Sequence, residues 1–156
     1  MDNYLGRCEH APPCMEHYFN LAEPYQFHLN AAGMGFCRVC MRRTAMTYEA
    51  EPHASPKWPF SSIEDWVTAD QRRRDAYNKA ERAASAQTVP GQIGIPEFKF
   101  LSNGPWLVSA REVQQALDRY DAAPSDLRAD LESDTTWRDW LEWLRETTNH
   151  GGFAVP

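Results

Sequence analysis

Cysteine and histidine side chains are concentrated near the start of this chain, at spacings typical of metal ligands. Cys37 and Cys40 form a C-x-x-C within "GFCRVCMRR". A C-x-x-C turn presents two sulfur atoms from one loop at the separation that a tetrahedral zinc ion requires. A redox dithiol is the weaker interpretation, because such motifs usually open a helix within a βαβ pattern, and no such pattern is predicted around this one.

The remaining zinc ligands are expected from the segment "RCEHAPPCMEHYF". Cys8 and His10 lie two residues apart, which points both side chains the same way on an extended chain. Cys14 and His17 lie three residues apart, which places both on one face of a helical turn. Either pair would complete a site with the C-x-x-C. A third set joins Cys8 and Cys14 to the C-x-x-C and has the merit that no reactive thiol is left over.

One zinc ion held in this way is expected to be structural. A catalytic zinc keeps an open coordination position and has a general base nearby. Zinc deaminases carry H-x-E together with P-C-x-x-C, whereas here "CEH" reverses the order and Phe36 precedes Cys37. The sequence therefore predicts a protein without enzymatic activity, with a zinc-dependent hydrolase or deaminase as an alternative.

The composition favours a folded protein in the cytoplasm that does not cross a membrane. The chain has 156 residues, 42% of them hydrophobic, and a net charge of −6. It has no run of eighteen apolar residues and no basic start followed by an apolar stretch, so neither a membrane span nor a secretory signal is predicted. Four cysteines in such a chain are more typical of thiols or metal ligands than of disulfides.

Nucleic-acid binding is the second functional interpretation, and it depends on three arginines beside the C-x-x-C. Arg38, Arg42 and Arg43 could contact phosphates, as basic residues of zinc modules often do. The charge balance disfavours this function, because residues 97–156 alone hold eleven acids and six bases. The first interpretation is a protein-interaction factor.

Three zones divide the chain into an α+β arrangement. Residues 1–50 are predicted to form a small zinc-ribbon or treble-clef-like module, a β-hairpin with a knuckle, in which "NAAG" makes the turn. Residues 51–60 contain three prolines and are predicted to be a linker. Residues 61–156 are predicted to be mostly helical, with a short hairpin near 98–108 about Asn103-Gly104.

Helix signals are strongest in this last zone. A capping box at Ser61 predicts a long helix to about Ala86, and another at Ser109 predicts a second helix. Further helices are expected from near Ser125 and over "DTTWRDWLEWLRETTNHGG". In the last of these, the apolar stripe contains Trp137, Trp140, Leu141 and Leu144. Trp143 falls about 60° off this stripe, so we expect it to be exposed and to bind a partner.

The end of the chain resembles uncharacterised small proteins encoded by actinobacteria and their phages. The resemblance covers about the last third and depends on Trp137, Trp140, Leu144 and the run from His150 to Phe153. It implies an accessory role, such as a phage-encoded factor that acts on a host protein. The Cys and His arrangement near the start is similar to zinc-ribbon and treble-clef knuckles, which implies a zinc-knuckle module.

Overall fold

The computed structural model of this chain describes residues 2–4, 26–101 and 106–155. The described part has an α+β fold that is mostly helical, which confirms the predicted class. In chain order its elements are β1 (Asp2–Tyr4), β2 (Gln26–His28), α1 (Ala31–Arg43), β3 (Thr47–Tyr48), α2 (Ile63–Thr68), α3 (Gln71–Ser85), β4 (Ile95–Pro96), a 3-10 helix (Glu97–Phe100), β5 (Trp106–Ser109), α4 (Ala110–Asp121), α5 (Ser125–Glu132), α6 (Thr135–Thr148) and β6 (Gly152–Val155).

Strands from the two ends of the chain form one antiparallel sheet in the order β2-β1-β6-β5. Tyr4 of β1 is opposite Ala154 of β6, and Leu107 of β5 is opposite Ala154 on the other side. A second, parallel pair joins β3 to β4, with Thr47 opposite Ile95. Helices α1, α4, α5 and α6 pack with these strands around one core, which is filled mainly by Trp137, Trp140, Trp143, Tyr120, Phe100 and Phe153.

The predicted hairpin and knuckle are replaced by helix α1, so the zinc-ribbon or treble-clef-like module is not supported. Asn30, read as part of a turn, is instead the N-cap of α1, where its side chain accepts a 2.8 Å hydrogen bond from the Gly33 amide. Asparagine stabilises turns and helix starts by the same kind of bond, which explains the misreading. Four buried residues then follow at helical spacing, namely Met34, Cys37, Cys40 and Met41.

Helices α4, α5 and α6 begin within a few residues of the predicted positions. Ser109 caps α4 in the expected capping box with Glu112. The predicted stripe of α6 is buried, and Gly151 after its end has a φ of 83°. These helices follow from local signals, because caps and apolar spacing both lie within a few residues.

The predicted hairpin near 98–108 is wrong, because only its second strand is present among the described residues, and that strand, β5, pairs with β6. Residues 97–100 form a 3-10 helix in which Glu97, Phe98, Lys99 and Phe100 are all buried. The charged residues Glu97 and Lys99 are buried because each has a partner of opposite charge.

The predicted long helix from Ser61 is divided into α2 and α3. Ser62, one residue after the predicted cap, accepts a 3.0 Å bond from the Asp65 amide. Asp70 then caps α3 by accepting a 3.0 Å bond from the Arg73 amide. A new cap interrupts the helical hydrogen bonds, so the two short helices can change direction between residues 68 and 71. No helix of the described residues is long and apolar enough to cross a membrane.

Two glycines provide a matched test of this fold. Gly152 has a φ of 108°, and an added Cβ would overlap the carbonyl oxygen of Val108 on the neighbouring strand. Gly35 lies inside α1 with open space around its Cβ position. We expect Gly152→Ala to lower the free energy of unfolding by about 2–4 kcal/mol through clash and strain. Gly35→Ala should raise it by about 0.5–1 kcal/mol through helix propensity.

Urea denaturation followed by circular dichroism measures both changes. Equal effects of the two substitutions would contradict the close approach of β5 and β6 at Gly152.

Candidate interaction surface and thiol pair

The C-x-x-C lies in the middle of α1 with both thiols buried. Cys37 and Cys40 are three residues apart, so their side chains lie on one face of the helix, and that face packs into the core. Burial raises the pKa of the Cys37 thiol to about 12, with a further contribution from Cys40. Burial likewise raises the pKa of Cys40 to about 11, partly offset by Arg43. Without an ion, both thiols are therefore protonated at neutral pH.

The structure brings together two of the predicted zinc ligands. Cys8, His10, Cys14 and His17 lie outside the described residues. Within residues 2–4, 26–101 and 106–155, no group of three or more His, Cys, Asp or Glu side chains is arranged to hold a metal ion. A site at the C-x-x-C would therefore need at least one ligand from residues 5–25.

Two of the three arginines proposed for phosphate contacts have carboxylate partners. Arg42 donates two 2.7 Å hydrogen bonds, from Nε and Nη2, to the two carboxylate oxygens of Glu97. Thr47 donates a third bond to Glu97, and these interactions, Arg42 above all, hold the pKa of Glu97 below its usual value. Arg43 lies 3.5 Å from a carboxylate oxygen of Asp130. These pairings reduce the positive charge that a phosphate would meet beside α1.

Trp143 is buried, so the expectation that it is exposed is wrong. It is 8% exposed and stacks on Trp140, with ring centroids 5.1 Å apart. Phe153 of β6 and Phe27 of β2 cover its other sides at 4.8 and 5.5 Å. Strands β2 and β6 therefore cover the side of α6 that lies beyond its own apolar stripe.

A buried ion pair joins three elements beneath the surface. The Lys99 ammonium, fully buried, donates hydrogen bonds of 2.6 Å to the Leu107 carbonyl and 2.7 Å to Glu112 Oε1. The other oxygen of Glu112 accepts a 2.8 Å bond from the Ser109 amide. Desolvation lowers the pKa of Lys99, and the Glu112 carboxylate opposes that shift. Both oxygens of Glu112 are thus engaged in holding the 3-10 helix, β5 and α4 together.

A second aromatic cluster lies outside this core, in a segment that we name the arm, residues 58–85. Its rings belong to Trp58, Phe60, Trp66 and Tyr77, with centroid distances from 5.0 to 6.2 Å. The Arg73 guanidinium lies 4.5 Å from the centre of the Phe60 ring and donates a 2.6 Å bond to the Pro59 carbonyl. The cluster holds α2 and α3 to the preceding proline-containing segment.

The arm meets the main body beside Trp106. Tyr77, Ala84 and Ser85 of α3 line a small cavity of about 80 Å³ together with Trp106 of β5. The second half of α3 thus lies beside the body, and Tyr77 also packs in the aromatic cluster with Trp66 of α2.

The arm exposes three large apolar side chains to solvent. Trp58 is 48% exposed, Val67 62% and Ile63 78%. Ile63 and Val67 lie four residues apart and so occupy one face of α2. We name these three residues the apolar arm face. Isolated exposed hydrophobic residues are common, whereas contiguous apolar patches are typical of contact surfaces.

This surface was not predicted, because Trp58 lies in the predicted linker, 51–60. The signal that could have revealed it is the pair of large aromatic residues around a proline in "KWPF". A flexible linker rarely contains aromatic rings of this size, since they favour burial.

Comparisons with known proteins give no match to a family model, to a curated protein or to a solved structure.

Proposed function

We propose that this protein is a non-enzymatic protein-interaction factor that binds its partner through the apolar arm face. The observation that carries the proposal is the exposure of Trp58, Ile63 and Val67 within one short segment. Burying such side chains against a partner releases water from apolar surface, which is the main driving force for association. Aromatic residues at the centre of an interface commonly contribute most of the binding energy.

The rigidity of the arm supports this assignment. The four-ring cluster and the Arg73 contacts hold the short helix α2, which would be unstable by itself in water. A surface that is already ordered loses little conformational entropy when it binds.

The hydrogen bonds of the buried charged residues also support a non-enzymatic role. Lys99, Glu112 and Glu97 are hydrogen-bonded to protein groups, as expected for structural ion pairs. For the same reason Arg42 supports the protein-interaction assignment over the nucleic-acid alternative, because its Nε and Nη2 already donate hydrogen bonds to Glu97.

We further propose that one structural zinc ion stabilises the chain, with Cys37 and Cys40 as two of its ligands. Their position on one face of α1 supports this, since ligands three residues apart on a helix can reach the same ion. Residues 5–25 would supply the other ligands from Cys8, His10, Cys14 and His17. Zinc would displace the thiol protons that burial otherwise retains. The resemblance of the last third suggests a host protein as the partner of a phage-encoded factor.

Substitution of the apolar arm face tests the proposed function. Ile63→Asp and Val67→Asp place a charge in the contact surface, so we expect at least about tenfold weaker binding to the partner. The free energy of unfolding should change by less than about 0.5 kcal/mol, because both side chains are exposed. Ile93→Asp is the matched control, since Ile93 is 47% exposed and lies outside the arm.

The measurement is comparative enrichment from an actinobacterial lysate, followed by calorimetric titration of the purified partner. A partner that binds both arm variants and the wild type equally would contradict the proposal.

Metal analysis tests the zinc. We expect about one zinc per chain in protein purified without added metal, and a thermal midpoint that falls after chelation. Cys37→Ser and Cys40→Ser should each lose the zinc and the effect of the chelator. Met41→Leu, a change at a fully buried neighbour on the same helix, should retain both. Zinc-free protein with an unchanged midpoint after chelation would contradict a structural ion.

A further inference from the structure

The outer faces of the two arm helices differ in size and charge. On α2, the exposed face carries the large side chains of Ile63 and Val67. On α3, Ala76, Ala80 and Ala83 are all exposed, and their spacing of four and three residues places them on one face. A row of alanines lets another helix approach closely, so large side chains of one arm fit against the small side chains of another.

The two helices also differ in charge. Helix α2 contains two acids and no base, whereas α3 contains five bases and two acids. Asp65 of α2 is already held by Arg73 and Ser61, which leaves Glu64 as the exposed acid beside Ile63. Arg72 and Lys79 are exposed on α3, and neither has a carboxylate partner among the described residues. An acid beside large side chains on one helix therefore complements bases beside small side chains on the other.

Both halves of this complementary pair belong to the same chain. A two-fold symmetric contact uses the same patch on each subunit, so that each residue pair occurs twice. Placing α2 of one copy across α3 of another would bring Ile63 and Val67 onto the alanine row and Glu64 toward Arg72 and Lys79.

We infer that the apolar arm face binds the arm of a second copy of this chain, with α2 of each copy lying across α3 of the other in a closed dimer. This inference rests on the proposed function, because it uses the same surface, and it names a second copy in place of a host protein as the occupant.

Sedimentation equilibrium of the full-length chain tests the dimer. Between about 1 and 200 µM, the measured mass should rise from one to two chains, because association follows mass action. Glu64→Arg alone, and Arg72→Glu with Lys79→Glu, should each raise the dissociation constant at least about tenfold, since each places like charges opposite one another. All these positions are exposed, so the thermal midpoint should stay close to that of the wild type.

A mixture of the two charge variants is the control, because variants that had lost the fold would not recover binding when mixed. In an equimolar mixture of the two charge variants, each chain has the charge that the other lacks, so we expect the mixture to form dimers as the wild type does. Combining all three substitutions in one chain should likewise restore the homodimer.

A chain that stays monomeric across this range would overturn the inference, and so would a dimer that the charge variants leave unchanged. If a monomer binds a host protein that Ile63→Asp releases, a different partner occupies the arm: the second copy is then excluded while the proposed function stands. If the dimer forms as described but no host protein depends on the arm, the action on a host protein fails while the self-association stands.

Discussion

The buried pair of Lys99 and Glu112 is the interaction on which the arrangement of the elements depends. Its two side chains connect the 3-10 helix after β4, the carbonyl of Leu107 on β5 and the cap of α4. Transfer of either charge alone into the core would cost several kcal/mol, so the pair is stable only when all three elements are in place. The arm is attached to this scaffold beside Trp106 of the same strand.

Elements that depend on local signals could be predicted from sequence, whereas elements that depend on contacts between distant residues could not. Helix α4 was predictable because Ser109, Glu112 and the apolar residues after them are all local signals. The 3-10 helix was not, because the partner of Glu97 is Arg42, 55 residues away. Trp143 was misjudged for the same reason, since Phe27 and Phe153 reach it from strands outside its own helix. Helix α1 was missed because asparagine suits a turn and a cap equally.

The candidate site likewise has a part that was evident from sequence and a part that was not. The C-x-x-C was evident from sequence, and its burial on one helical face is a property of α1 that the motif does not encode. The apolar arm face could not be predicted from hydrophobic spacing, because Ile63, Trp66 and Val67 fit one apolar stripe while only part of that stripe is covered. Trp66 packs against Phe60 at 5.0 Å, whereas Ile63 and Val67 remain exposed. One side of α2 therefore packs into the aromatic cluster, and the other side is exposed to solvent.

A double-mutant cycle on Lys99 and Glu112 tests the central claim most directly. The free energy of unfolding would be measured by urea denaturation for Lys99→Met, Glu112→Gln and the double variant. Each single change should cost about 3–5 kcal/mol, because it leaves an uncompensated buried group. The double variant should be more stable than the sum of the single costs implies, by about 2 kcal/mol or more. Costs that add to within about 0.5 kcal/mol would show that the two side chains do not depend on each other, and would contradict this account.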